Sequence, residues 1–183
     1  ICGKDVLRRR DGIKFADGSD VTTEDVVASF QRIFKISGPT AGTFYNGIIG
    51  ADKCLAEPAG CTLEGGVVAD AAAGTVTFNL TQPDGEFLQK IAIPHAAILP
   101  AETELKDYGT DPIPGTGAYM IESYDPNKLL KMVRNPYFKE WSKEAQPAGY
   151  PDEIDYDFGL TEEAAVTAIQ NGQADWMFDP PPP

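Results

Sequence analysis

The segment Val21-Thr22-Thr23-Glu24-Asp25 constrains the fold of this chain more than any other. Thr22 is placed to cap a helix, and Asp25, three residues on, completes a capping box with Asp where Glu is usual. Val26, Val27, Phe30, Ile33 and Phe34 then recur at helical spacing, and Gly38-Pro39 stops the run. The spacing predicts an amphipathic helix over 23–35. A second period appears downstream. Thr75-Val76-Thr77-Phe78-Asn79-Leu80 alternates every second residue and is rich in β-branched side chains, which predicts a half-buried strand. Pro83-Asp84-Gly85 breaks it. A short helix over 84–92 is expected to bury Phe87, Leu88 and Ile91, with Ala97-Ile98-Leu99-Pro100 as an apolar connection.

From 107 to 117 the character changes. Asp111-Pro112-Ile113-Pro114-Gly115-Thr116-Gly117 reads as a rigid, turn-rich crossing between two lobes, its glycines allowing a tight turn or close backbone packing. Tyr119 to Tyr124 and Leu129 to Val133 flank Asp125-Pro126-Asn127-Lys128, whose Asp and Pro suit a type I turn, so a hairpin is predicted. Ile154, Tyr156 and Phe158 alternate with acidic residues as another strand. Thr161-Glu162-Glu163 opens a helix with negative charge in its first turn, and Asn171-Gly172 closes it. Ala174 to Phe178 is expected to be the next strand, ahead of Pro180 to Pro183, which cannot pair centrally. Short strands mixed with separate helices give an α/β (mixed α+β) fold class.

The 183 residues, 42% hydrophobic and 23% charged, suffice for one ordinary domain or two small lobes. Fifteen Lys and Arg against 28 Asp and Glu leave a formal charge of −13, which disfavours nucleic acid or an anionic membrane surface as partner. Arg8-Arg9-Arg10 is too short a run to reverse that field. No apolar stretch approaches the ~20 residues of a bilayer span, and no secretory signal is read at the N-terminus.

Chemistry is sparse. His95 is the single histidine, no Gly-x-Ser-x-Gly elbow is present, and no catalytic residue is assigned. Gly115-Thr116-Gly117 lacks the Gly-Lys-Ser/Thr continuation of a phosphate cradle. Glu153, Asp155 and Asp157 have the first spacings of a calcium loop without its glycine, and read as the solvated face of a strand. One histidine and three scattered cysteines do not make a zinc site, so neither metal nor cofactor is expected. Asn79-Leu80-Thr81 matches a glycosylation sequon, read as coincidence within a strand. Cys54 and Cys61 flank a short loop-like segment. A bridge between them would close a loop of about eight residues, worth roughly 2.5 kcal/mol in the chain-entropy account. It would also place the protein in an oxidising compartment. Two separate reduced thiols are the alternative, and Cys2 is the odd cysteine out.

An ordered series of segments resembles one known family. Arg10-Asp11-Gly12-Ile13-Lys14-Phe15-Ala16-Asp17-Gly18 leads into Val21 to Val27 and Ser29-Phe30. Thr75 to Leu80, Pro83, Phe87-Leu88 and Leu99-Pro100 follow. Gly115-Thr116-Gly117-Ala118-Tyr119, Val133-Arg134-Asn135-Pro136-Tyr137-Phe138 and Asn171-Gly172-Gln173-Ala174-Asp175 complete the set. In order and spacing these are similar to the family 5 extracellular solute-binding proteins, the oligopeptide-, dipeptide- and nickel-binding receptors of ABC importers. The charges of Val6-Leu7-Arg8-Arg9-Arg10 depart from the alternating apolar strand that the family has there, so no conformation is predicted for the first ten residues.

The resemblance implies a partial periplasmic-binding-protein-like II fold, family members being much longer than this chain. Residues 1–107 would be a small accessory lobe, and 108–183 a truncated part of the first ligand-binding lobe. It implies capture of a solute, an oligopeptide first among cargoes, and delivery to ABC permease subunits by a monomer held outside the membrane as a lipoprotein. Tyr45, Asn46 and His95 are the candidate ligand-side residues, while Trp141 and Trp176 are expected to pack. A sensory or scaffolding receptor of the same fold is the runner-up reading. A small hydrolase using His95 is the third.

Overall fold

The computed structural model describes residues 3–178, so Cys2 and the terminal prolines lie outside it. In chain order come strand β1 (Lys4–Arg8), helices α1 (Thr23–Lys35), α2 (Ala41–Phe44) and α3 (Ala51–Ala56), strands β2 (Val67–Asp70) and β3 (Thr75–Asn79), helix α4 (Phe87–Ile91), strands β4 (Tyr119–Asp125), β5 (Leu129–Arg134) and β6 (Glu153–Asp157), and helix α5 (Glu162–Gln170).

The capping box of α1 forms as its sequence requires. Thr22 Oγ1 accepts from the Asp25 amide at 3.2 Å, and Asp25 Oδ2 accepts from the Thr22 amide at 2.6 Å. Asp25 does a second job: its Oδ1 accepts from the Ala101 amide at 2.7 Å. One turn on, Ser29 Oγ accepts from the Leu99 amide at 2.9 Å. The polar flank of α1 therefore holds the 99–101 segment while its apolar face looks the other way.

That face meets a three-stranded antiparallel sheet in the order β1-β3-β2. Alternation on β3 buries Val76 and Phe78, with Phe78 opposite Asp5 on one side and Val67 on the other. Phe30 of α1 stands edge-on to Phe78, with ring centroids 4.9 Å apart, and Phe87 adds a tilted contact to Phe78 at 5.3 Å. Burying each such ring stabilises by ~1.5–3 kcal/mol. A disulfide joins Cys54 of α3 to Cys61, both in this core, with Cα atoms 4.5 Å apart.

A second antiparallel sheet has the order β4-β5-β6. The β4–β5 hairpin closes through the Lys128 amide on the Asp125 carbonyl at 3.0 Å, as its turn residues predict. Thr161 caps α5 through the Ala164 amide at 3.2 Å. The two sheets differ sharply in burial. Buried apolar residues lie between Phe15 and Pro100, and among the described residues after Pro100 only Asn135 is buried.

Three expectations are corrected, and the start of the chain, for which no conformation is predicted, takes a definite one. The charged start is a strand: β1 pairs with β3, turning Leu7 toward the core while Lys4 and Arg8 face solvent at a sheet edge, where charges are tolerated. Leu88 is 53% exposed, because Phe87 and Ile91 are four residues apart on one helix face and Leu88 is turned away from it. Residues 174–178 are not a strand; their rings reach β6 but their backbone joins no ladder among the described residues. Gly115 and Gly117 take no positive φ, and a Cβ on either would meet nothing closer than 3.6 Å, so neither is there for space.

Candidate functional site

The three side chains expected on the ligand side differ in burial. Tyr45 follows α2, and its ring is fully buried, edge-on to Phe30 at 5.5 Å. Its hydroxyl donates to the Lys90 carbonyl of α4 at 3.1 Å, and burial pushes the phenol pKa above its ordinary value, so it stays a neutral donor. Tyr45 is thus a core residue of this chain, its ring packed on Phe30 at the end of a one-turn helix. Asn46, the next residue, faces solvent. His95 is exposed in the 3-10 turn Pro94–Ala96 and makes no side-chain hydrogen bond among the described residues.

The later sequence motifs build a junction. Asn135 Nδ2 donates to the Gly117 carbonyl at 2.9 Å, and its backbone amide donates to the Ala118 carbonyl at the same distance. Its Oδ1 accepts from the Tyr137 amide at 3.0 Å, so this buried amide is satisfied on both sides. Arg134 Nε donates to Asp152 at 2.9 Å, and one terminal nitrogen donates to the Tyr150 carbonyl at 2.7 Å, pinning the 148–152 loop to β5. The Ala16 amide donates to the Gly115 carbonyl at 2.8 Å, which ties the turn before α1 to the segment before β4. Gly18 has φ +90°, and a Cβ there would fall 2.8 Å from the Tyr137 ring. These contacts position backbone around Gly117 and Asn135.

The surface left open lies elsewhere. Tyr156 is edge-on to Trp176 at 6.5 Å, Trp176 to Phe178 at 5.7 Å, and Tyr124 to Phe158 at 6.1 Å. Trp176 is 62% exposed and Phe178 80%. Trp141, at 40%, is likewise on the surface, so neither tryptophan is a core residue within this chain. Aromatic surface of this kind can bury an apolar neighbour or the body of a ligand. Only the alternation of Tyr156 and Phe158 hinted at it; the approach of Trp176 depends on the turn after α5. The outward acids of β6 behave as a solvated face, Glu153 being paired with Lys131 at 2.9 Å. Among the described residues no cluster of three metal-ligating side chains occurs, and no helix is long and apolar enough to cross a membrane.

Comparison with known proteins agrees with this geometry. The chain is 30% identical over 137 residues to the probable D,D-dipeptide-binding periplasmic protein DdpA of Escherichia coli K12, covering 70% of this chain and 23% of that protein. It is 30% identical over 130 residues to the HTH-type transcriptional regulator SgrR of Salmonella typhi, covering 70% of this chain and 19% of the regulator. The murein tripeptide binding protein MppA of Escherichia coli superposes with a TM-score of 0.75 at 26% identity, over 93% of this chain and 33% of that structure. The chain thus spans about a quarter or less of the curated relatives it matches, and its mixed α/β architecture is part of the periplasmic binding-protein fold. Residues 10–183 match the family described as bacterial extracellular solute-binding proteins, family 5 middle, and the chain belongs to that family.

Proposed function

We propose that this chain is part of a receptor that captures a solute outside the cytoplasmic membrane, an oligopeptide before other cargoes, and passes it to the permease subunits of an ABC importer. The observation that carries the reading is the family match over residues 10–183. The dipeptide-binding name of one relative and the tripeptide-binding name of another support a peptide cargo. The receptor works as a monomer tethered by a lipid anchor. It binds and releases without breaking bonds.

Residues 1–107 act as the accessory lobe and 108–183 as part of the first ligand-binding lobe. The confinement of the apolar core to the first hundred residues supports that division, as does the exposed aromatic face of the second sheet. Asn46 and His95, both exposed, are the proposed ligand-side groups; Tyr45 acts through them, by fixing the loop that carries Asn46 against α4.

Calorimetry with short peptides tests this. The intact protein should bind at least one peptide with micromolar or tighter affinity, about −8 kcal/mol. The 183-residue chain alone should bind at least a hundredfold more weakly, because a pocket holds its ligand by burying most of its surface. Micromolar binding by the short chain would contradict the half-cleft reading, and no peptide binding by the intact protein would remove the peptide assignment.

The similarity to SgrR favours a second reading, a receptor of the same fold that senses its solute for regulation. Deleting the gene separates the two. A transport component loses peptide uptake, whereas a sensor changes transcription and leaves uptake intact.

A further inference from the structure

Arg8 ends β1, Arg9 and Arg10 follow it, and residues 139–141 lie beside them. With Trp141 and Lys139, these arginines line an open groove of about 620 Å³. The Arg10 guanidinium lies 4.0 Å from the centre of the Trp141 ring, and that ring is itself held by Nε1 donating to Gln146 at 2.8 Å. Stacking uses the flat face of a guanidinium and leaves its N–H edge free to donate.

The charges in the groove are unbalanced. Its two carboxylates are engaged: Asp11 takes Arg9 at 3.3 Å, and Glu140 accepts from the Ala148 amide at 2.8 Å. Arg8, Arg10 and Lys139 have no ion pair among the described residues. Three unpaired cations on two chain segments thus share one concavity of a chain whose formal charge is −13. At physiological ionic strength charges further than ~8 Å are largely screened, so a small anion here meets the local cations and little of the global field.

We propose that this groove is a binding site for a phosphate-bearing anion. A tetrahedral dianion offers acceptor oxygens in several directions at once, which matches donors arriving from two segments better than one planar carboxylate does. The site is separate from the aromatic face and does not depend on the peptide reading. The phosphate belongs either to a soluble phosphoester or to a lipid headgroup, and the experiment distinguishes them.

The intact protein is titrated with inorganic phosphate and with glycerol phosphate at constant ionic strength in sodium chloride, and sedimented with phosphatidylglycerol or phosphatidylcholine vesicles. Binding to the soluble phosphates assigns a soluble ligand; co-sedimentation with phosphatidylglycerol vesicles alone assigns a headgroup. In either case the Arg8→Gln/Lys139→Gln variant should bind about tenfold more weakly, the scale of losing hydrogen bonds to a charged group. Trp141→Leu, which frees Arg10 from its stack, should also weaken binding, with peptide affinity and unfolding midpoint unchanged in both variants. No binding beyond the chloride control with any source, or equal affinity in the double variant, overturns the proposal.

Discussion

Asn135 and Gly117, 18 positions apart, are joined by a 2.9 Å hydrogen bond from the asparagine side chain to the glycine carbonyl. Among the described residues after Pro100 Asn135 alone is buried, and all of its side-chain polar atoms are used. The bond links the Gly-Thr-Gly and Arg-Asn-Pro segments of this chain: one supplies an acceptor that the other reaches.

Asn135→Ala should cost about 1–3 kcal/mol, since it strands the Gly117 carbonyl and the Tyr137 amide. Chemical denaturation of the intact protein followed through the second sheet measures it. Asn127→Ala, in the exposed hairpin turn, is the control and should stay within about 0.5 kcal/mol.

Gly66 is sterically closed. A Cβ there would sit 2.0 Å from the Ile49 carbonyl oxygen, a backbone atom with no room to retreat. Gly66→Ala should destabilise by more than about 3 kcal/mol or prevent folding around the first sheet. The adjacent Gly65 has φ +74° and open space around it, so Gly65→Ala should cost only the backbone term of about 1 kcal/mol. Similar costs for the two substitutions would contradict the close approach.

Removing the Cys54–Cys61 bridge should lower stability by roughly 2.5 kcal/mol without changing the fold, because it closes a short loop and its thiols stay packed in the core. The Cys54→Ala/Cys61→Ala variant and the reduced wild type should show similar falls in denaturant midpoint, with unchanged circular dichroism.

Asp84 accepts from Lys90 at 2.6 Å, and this bond, followed by one from the Glu86 amide, holds its carboxyl below the ordinary carboxylate pKa. A depressed pKa stabilises the fold above the unfolded value, ~4, and the contribution disappears as pH falls through the folded value. The difference in thermal midpoint between wild type and Asp84→Asn should therefore be constant from pH 5 to 7 and shrink below pH 4. A difference that grows on acidification would contradict the assignment.

Much of the architecture is legible in short windows. The capping box of α1, the turn residues of the β4–β5 hairpin and the alternation of β3 and β6 act over a few positions, and each element lies where its residues place it. The losses come from contacts between distant residues. β1 was unreadable because Lys4 and Arg8 mask the inward Leu7, and only pairing with β3 makes the segment a strand. Nothing local shows that the Tyr45 ring packs on Phe30, 15 positions earlier. The groove of Arg10 and Trp141 joins residues 131 positions apart, which no spacing rule reaches.

The charged edge strand has one more effect. Should two copies of the first sheet meet edge to edge, antiparallel pairing centred on Val6 would bring Lys4 of one copy opposite Arg8 of the other, twice over. Like charges facing across a ladder are destabilising, so β1 discourages fibril-like growth from the open side of that sheet. The residues that hid this strand from a hydrophobic pattern are the same ones that keep it from recruiting another.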